Sequence, residues 1–145
     1  MLETLFSLSG RRGIVTGASS GLGLATARLL AEAGTEVLAF SRSGRIKVES
    51  ADPLPPGLTE VAVDVTDFDG VARTVRELAD EGSLDFLVNN AGVTEKAPAA
   101  TVAPETFRHI QAVNVDAVFH LCQVCQPFLR QATGAGRIVN IASMA

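Results

Sequence analysis

The stretch best suited to chemistry is Thr16-Gly17-Ala18-Ser19-Ser20-Gly21-Leu22-Gly23, with glycines spaced G-x3-G-x-G. Glycine lacks a Cβ, so the backbone can turn sharply and come close to a ligand. The stretch follows a short β-branched run, Gly13 to Thr16, and precedes an apolar helical pattern. A helix opening there would offer free N–H groups and the positive end of its dipole, which suits a pyrophosphate. The spacing differs from G-x-G-x-x-G, and a tight strand-to-helix connection would use the same glycines.

The elements that must position this turn alternate along the chain. A helix is expected over Leu22 to Ala33, with Leu22, Ala25, Leu29 and Ala33 near helical spacing and Gly34 as its stop. Strands are expected at Gly13–Thr16, Glu36–Phe40, Glu60–Val63, Leu84–Val88 and Arg137–Ala142. Thr66 is placed to cap a helix, with Asp69 three residues on, and Val71, Val75, Leu78 and Ala79 form its buried face before Gly82. Pro104 suits a first helical turn. Helical periodicity then runs, with a break near Asn114, through Val118, Leu121, Cys122, Cys125 and Leu129 to Gly134 and Gly136. Residues 42–59, with Pro53, Pro55 and Pro56, and residues 91–103 read as irregular. Strands alternating with helices imply parallel pairing and right-handed crossovers. The fold class is therefore α/β, a doubly wound Rossmann-type parallel sheet with order 3-2-1-4-5, in one domain over residues 1–145.

Composition narrows the function classes. The chain has 145 residues, 47% hydrophobic, and a formal net charge of −4, so disorder is excluded and no basic surface points to nucleic acid. No apolar run approaches a membrane span, and the opening Met1-Leu2-Glu3-Thr4 lacks the basic n-region and long apolar core expected of a secretory signal. Two cysteines make no disulfide framework, so a cytoplasmic location is expected. Cys122 and Cys125 are spaced C-x2-C, but mid-helix on an apolar face, and zinc would need two further ligands; no metal site is expected. His109 and His120 have no partner motif and read as surface or packing residues.

Five motifs in order identify a resemblance to the short-chain dehydrogenase/reductase family across almost the whole chain. They are the Thr16–Gly23 turn, Val63-Asp64-Val65, Asn89-Asn90-Ala91-Gly92, Val113-Asn114-Val115, and Gly136-Arg137-Ile138-Val139-Asn140-Ile141-Ala142-Ser143. The resemblance implies that Gly17, Ser19, Ser20, Gly21, Leu22 and Gly23 hold a pyrophosphate. It places Asp64 and Val65 at the adenine; the alternative for Asp64 is a helix-entry carboxylate, a role that Thr66 and Asp67 could serve equally. It puts Asn90, Ala91 and Gly92 beside the ribose and nicotinamide, where a plain turn of small polar residues is the alternative. Where a carboxylate would accept from a ribose 2′-hydroxyl, the second strand ends in Ser41, then Arg42, with Arg45 and Lys47 close behind. A guanidinium pairs well with phosphate, so NADP(H) is favoured and NAD(H) remains possible. Against this, Arg42 could belong to a solvated loop, and Ser20 supplies no second basic residue.

The family's chemistry is hydride transfer between the nicotinamide and an alcohol or carbonyl carbon. The resemblance implies that Ser143 hydrogen-bonds the substrate oxygen and Asn114 holds a water in the proton relay. A strand-end serine and a helix-break asparagine are the plainer alternatives. The family's Tyr-x3-Lys would follow Ser143, yet the sequence ends at Ala145 and contains no tyrosine. The expectation is a cofactor-binding portion of a longer enzyme, with later strands missing, a fifth strand left as an apolar edge, and little activity alone. The resemblance further implies a small alcohol or carbonyl substrate and a homodimer or homotetramer assembled through the Val118–Leu129 helix. The lead-in Leu5-Phe6-Ser7-Leu8-Ser9-Gly10 resembles that of sugar-acid and polyol dehydrogenases. Two rival readings are a noncatalytic dinucleotide sensor and a nonfunctional truncated product.

Overall fold

Five short strands rich in Ile, Val, Leu and Ala carry apolar side chains on both faces, and such strands are stable only when both faces are covered. The computed structural model describes residues 7–47 and 53–143; Leu5, Phe6 and residues 48–52 of the second crossover lie outside them. Strands β1 (Arg12–Thr16), β2 (Glu36–Ser41), β3 (Leu58–Ala62), β4 (Phe86–Asn89) and β5 (Arg137–Asn140) form one sheet in the order β3-β2-β1-β4-β5. Every pairing is parallel, with Ile14 opposite Leu38 and Leu87, and Asn89 opposite Asn140. Helices α1 (Gly21–Glu32), α2 (Phe68–Glu81), α3 (Pro104–Gln111) and α4 (Ala117–Leu129) connect them, with a 3-10 turn at Ala99–Thr101.

Alternation along the strands divides the core into two layers. On one face Ile14, Leu38, Phe40 and Leu87 meet Val71 and Val75 of α2 and Leu121, Cys125 and Leu129 of α4. On the other, Val15, Val37, Ala39 and Val88 meet Ala27 and Ala31 of α1. The second layer is thin because its helix side chains are small. That corrects the expected face of α1: Leu22 and Leu29 are 62% and 66% exposed, and the helix buries Gly23, Ala27 and Ala31. Close approach to the sheet excludes leucine there, so the i, i+4 stripe of small residues wins over the larger apolar ones.

Other boundaries shift for local reasons. Strand β3 begins at Leu58, two residues early, because the Gly57 carbonyl accepts from the Val37 N–H at 2.7 Å and starts the ladder. Strands β4 and β5 end at Asn89 and Asn140, and β4 starts at Phe86, since Leu84 packs into the core before pairing begins. The cap of α2 is Asp67, not Thr66: its Oδ1 accepts from the Gly70 N–H at 3.0 Å. Thr66 is instead engaged by Asp64. The expected break near Asn114 is a π-helical turn, Ala112–Asp116, through which α3 passes into α4 without interruption. Val113, Ala117, Leu121, Cys125 and Leu129 form its buried stripe. Burial pushes the Cys125 thiol up to about 12, so this cysteine is a core residue and stays protonated at neutral pH.

The N-terminal ends of the strands are locked by ions. Asp85, 6% exposed, accepts from Arg11 Nη1 at 2.9 Å, the Arg12 N–H at 3.0 Å and Ser83 Oγ at 3.4 Å. Its main chain bridges β1 and β5, donating to Arg12 and accepting from Arg137. Arg12 is equally buried and reaches Glu36 at 2.8 Å and the Leu78 and Gly82 carbonyls. Removing one member leaves its partners desolvated and unpaired. We expect Asp85→Asn to lower the unfolding free energy by about 2 kcal/mol in urea titrations, as for a buried charged hydrogen bond. Glu105→Gln, which breaks only the exposed Glu105–Arg108 pair at 3.5 Å, should change it by less than about 0.5 kcal/mol.

Candidate functional site

At the opposite ends of the strands, the chain leaves β1 and β4 toward opposite faces of the sheet. In an open parallel sheet this reversal creates a crevice outside the strands' carboxyl ends. Its floor is held by Thr16, which is 1% exposed. Thr16 Oγ1 accepts from the Asn90 N–H at 3.0 Å and the Ala91 N–H at 2.9 Å, and donates to the Val88 carbonyl at 3.5 Å. Asn90 returns the contact, donating from Nδ2 to the Thr16 carbonyl at 3.1 Å and the Gly17 carbonyl at 3.4 Å. The two loops are thus bolted together without filling the space above them.

Two glycines have separable roles in this turn. A Cβ on Gly23 would run into Asn90 Nδ2 and the Gly17 carbonyl, so Gly23 lets α1 sit against the bolt. Gly21 has φ +56, yet a Cβ there would meet nothing within 4 Å. Its requirement is conformational, and its backbone faces open space. Ser20, the N-cap of α1, makes no side-chain capping bond, and no acidic residue occupies the first turn. The positive helix end is left for an outside anion.

The resulting cleft has a volume of about 400 Å³. It gathers predicted residues from four segments: Gly17, Ser19, Ser20, Leu22 and Gly23 on one side, Ser41 and Arg42 after β2, Asp64 and Val65 after β3, and Asn90, Ala91 and Gly92 after β4. Gly21 is not among the lining residues, and neither are Asn114 and Ser143. Asn114 sits behind the wall: its Oδ1 accepts from the Val93 N–H and its Nδ2 donates to the Val93 carbonyl, both at 2.9 Å. Ser143 lies exposed beyond the end of β5, on the same side of the sheet as the cleft.

Sequence reasoning missed several walls. His109 was expected on the surface or in packing, and it is exposed but lines the cleft, as do Lys47, Val93 and Val113. The i, i+4 relation of His109 to the buried Val113 was the available signal. His120 is a packing residue, stacked on Phe68 with ring centroids 4.4 Å apart. Asp64 Oδ1 accepts from the Thr66 N–H at 2.9 Å and from Thr66 Oγ1 at 2.7 Å. These bonds to Thr66 hold its carboxyl below the usual range, with a smaller contribution from Arg42 and His109. The turn's stabilisation is therefore present above the ordinary carboxylate range and lost as pH falls through the lowered value.

These features fit an adenine dinucleotide: an uncapped helix end for a diphosphate, a basic residue after β2, and the apolar Val65 and Val113 in the same lining as Asp64. Among the described residues no group of three His, Cys, Asp or Glu side chains could hold a metal ion, and no helix is long and apolar enough to cross a membrane. The bolt yields a direct test. Thr16→Val should leave the Asn90 and Ala91 amides unpaired, costing about 2–4 kcal/mol in thermal unfolding. Thr16→Ser, which restores the acceptor, should recover most of that loss.

The sequence profile of the short chain dehydrogenases matches residues 12–145. Gluconate 5-dehydrogenase of Gluconobacter oxydans is 38% identical over 151 residues, covering 97% of this chain and 56% of that protein. A crystal structure from Beutenbergia cavernae, provisionally named an NAD(P)-dependent gluconate 5-dehydrogenase and holding NADP at low occupancy, superposes with a TM-score of 0.83 at 43% identity; 96% of this chain and 56% of that one are covered. RhlG of Pseudomonas aeruginosa in an NADP active-site complex gives 0.84 at 32% identity, over 95% and 56% of the two chains. The chain spans about half the length of the curated relatives it matches.

Proposed function

This chain belongs to the short-chain dehydrogenase family, and from that premise we propose that it binds NADP(H) in the β1/β4 cleft and serves a cytoplasmic oxidoreductase. The reaction we assign is hydride exchange between the nicotinamide and an alcohol or carbonyl carbon of a small molecule. Sugar acids and polyols are the substrate class we favour, because gluconate 5-dehydrogenase and L-xylulose reductase are among the similar proteins.

The observation that carries the cofactor reading is the convergence of the uncapped α1 end and Arg42 on one cleft. Ser19, Ser20 and Leu22 surround the diphosphate position, and Asn90 and Gly92 the nicotinamide ribose. The free edge of Asp64 faces the adenine, while Thr66 keeps it ionised. A bound nicotinamide supplies the hydride donor or acceptor. Asn114 holds the Val93 main chain through two hydrogen bonds, so its role in the proton relay begins as one of position. Ser143 would donate a hydrogen bond to the substrate oxygen, a contribution on the order of 10²–10⁴ in rate when combined with proton transfer.

NADP(H) is preferred over NAD(H) in this reading because Ser41 brings no negative charge to the ribose and Arg42 lines the cleft. Assembly as a homodimer or homotetramer is supported by apolar side chains left outside, Phe119 at 65% and Val115 at 51% exposure. The cofactor reading is tested by titrating the chain with NADPH and NADH. Arg42→Ala should weaken NADPH about tenfold, as expected for a charge-assisted phosphate contact, and leave NADH within about twofold. Equal losses for both would remove the preference.

A further inference from the structure

Helix α4 carries a histidine that does not line the cleft. His120 is half-buried, next to the stripe of Ala117 and Leu121, each 1% exposed. Its ring stacks on Phe68, the first residue of α2, with centroids 4.4 Å apart and 19° between the planes. Its Nε2 lies 2.9 Å from the Phe68 carbonyl oxygen. A carbonyl only accepts, so Nε2 carries the hydrogen. One side chain of α4 thus clasps both the ring and the main chain of a residue on another helix.

Phe68 belongs to a stiff segment. Asp67 donates its N–H to the Asp64 carbonyl at 3.0 Å, and the Asp64 carboxylate holds Thr66 by two hydrogen bonds. Asp67 then caps α2 through the Gly70 N–H at 3.0 Å. Residues 64–70 are tied into one unit. Facing it is the continuous helix that runs from α3 through the π turn into α4, with His109 and Val113 on the cleft and His120 on the clasp. Asp64 and Val65 line one wall of the cleft, His109 and Val113 another. Farther along, α2 and α4 share a core of Val71, Val75, Leu121 and Cys125, whose attraction has no direction. The stack and the hydrogen bond at Phe68 add direction.

We propose that His120 is a positioning residue for the nucleotide end of the cleft: by holding Phe68 it sets the separation of the Asp64–Val65 wall from the His109–Val113 wall. The inference rests on the dinucleotide reading above, in which Asp64 faces the adenine. The 6-amino group of adenine is a donor and the Asp64 carboxylate an acceptor, so their hydrogen bond depends on where that wall stands. Without the clasp, α2 can slide along α4 over its apolar contacts. The carboxylate then leaves the amino group, while the diphosphate position at α1 stays in place.

The test compares two dinucleotides that differ in the purine alone, NADPH and its hypoxanthine analogue, in which oxygen replaces the 6-amino group. Both are titrated into the full chain by calorimetry. The unsubstituted chain should prefer NADPH about tenfold, as for one hydrogen bond to a charged group. His120→Ala should cut that preference below about threefold, as weakening of that bond implies. His120→Gln, whose amide can still donate to the Phe68 carbonyl, should retain most of it. Phe68→Leu, which keeps the carbonyl and loses the ring, should fall between the two. A preference unchanged in His120→Ala overturns the assignment, as does an equal weakening of both ligands, which reduces the clasp to general stability. If thermal unfolding shows that His120→Ala is not folded, Phe68→Leu decides, and an unchanged preference there overturns the assignment. A loss in His120→Gln as large as in His120→Ala overturns the hydrogen bond as the holding contact. If the unsubstituted chain binds both ligands equally, Asp64 is not at the adenine and the proposal falls with that placement; if it binds neither, the dinucleotide reading itself fails.

Discussion

The hydroxyl of Thr16 carries more of this architecture than any other polar atom at the carboxyl end of the sheet. It satisfies two consecutive amides of the loop after β4, Asn90 and Ala91, and itself donates to Val88. Buried amides cannot be left unpaired cheaply. With that bolt in place, the loop after β1 and the loop after β4 are forced apart above it. The cleft is the space between them. Gly23 allows α1 to press onto the same bolt, and Asn114 presses from the other side through Val93. The π turn that contains Asn114 fits this position: its wider winding presents a side chain toward the wall while Val113 remains buried in the helical stripe.

The two ends of the sheet solve different electrostatic problems. At the amino end, Arg11 and Arg12 are paired at short range with Asp85, Glu36 and Glu81, and the result is rigidity. At the carboxyl end the charges are left incomplete. The α1 terminus has no acidic cap, Arg42 lines the cleft together with an acid already engaged by Thr66, and the Gly21 backbone opens onto space. An anion is what completes that set. A fold that neutralised both ends would be more self-contained and would have no use for a dinucleotide.

Much of this was legible in the residues. Alternating β-branched runs and helical patterns gave the doubly wound sheet, and the glycine turn, Asp64, the Asn90–Gly92 loop and Arg42 all reach one cleft. What misled was the assumption that the largest apolar residues mark the buried face. On α1 they are exposed, since contact with the sheet at close range selects Gly23, Ala27 and Ala31. The α2 cap was misplaced by one residue because Asp64 claims Thr66, a contact that depends on where β3 ends. The sorting of Lys47, which lines the cleft, from Arg45, which does not, was beyond sequence reasoning. It depends on the hydrogen bond from the Lys47 N–H to the Ser19 carbonyl, which joins segments far apart in the chain.

The central claim is that the β1/β4 cleft receives an adenine dinucleotide. Amide hydrogen exchange, followed with and without NADPH, reads this residue by residue. The account predicts slower exchange over residues 17–23, 42–47 and 90–93 on binding, with the amino-end segments 10–12 and 34–36 unchanged. No change in the three cleft segments at saturating NADPH, or protection confined to the amino end of the sheet, would contradict it.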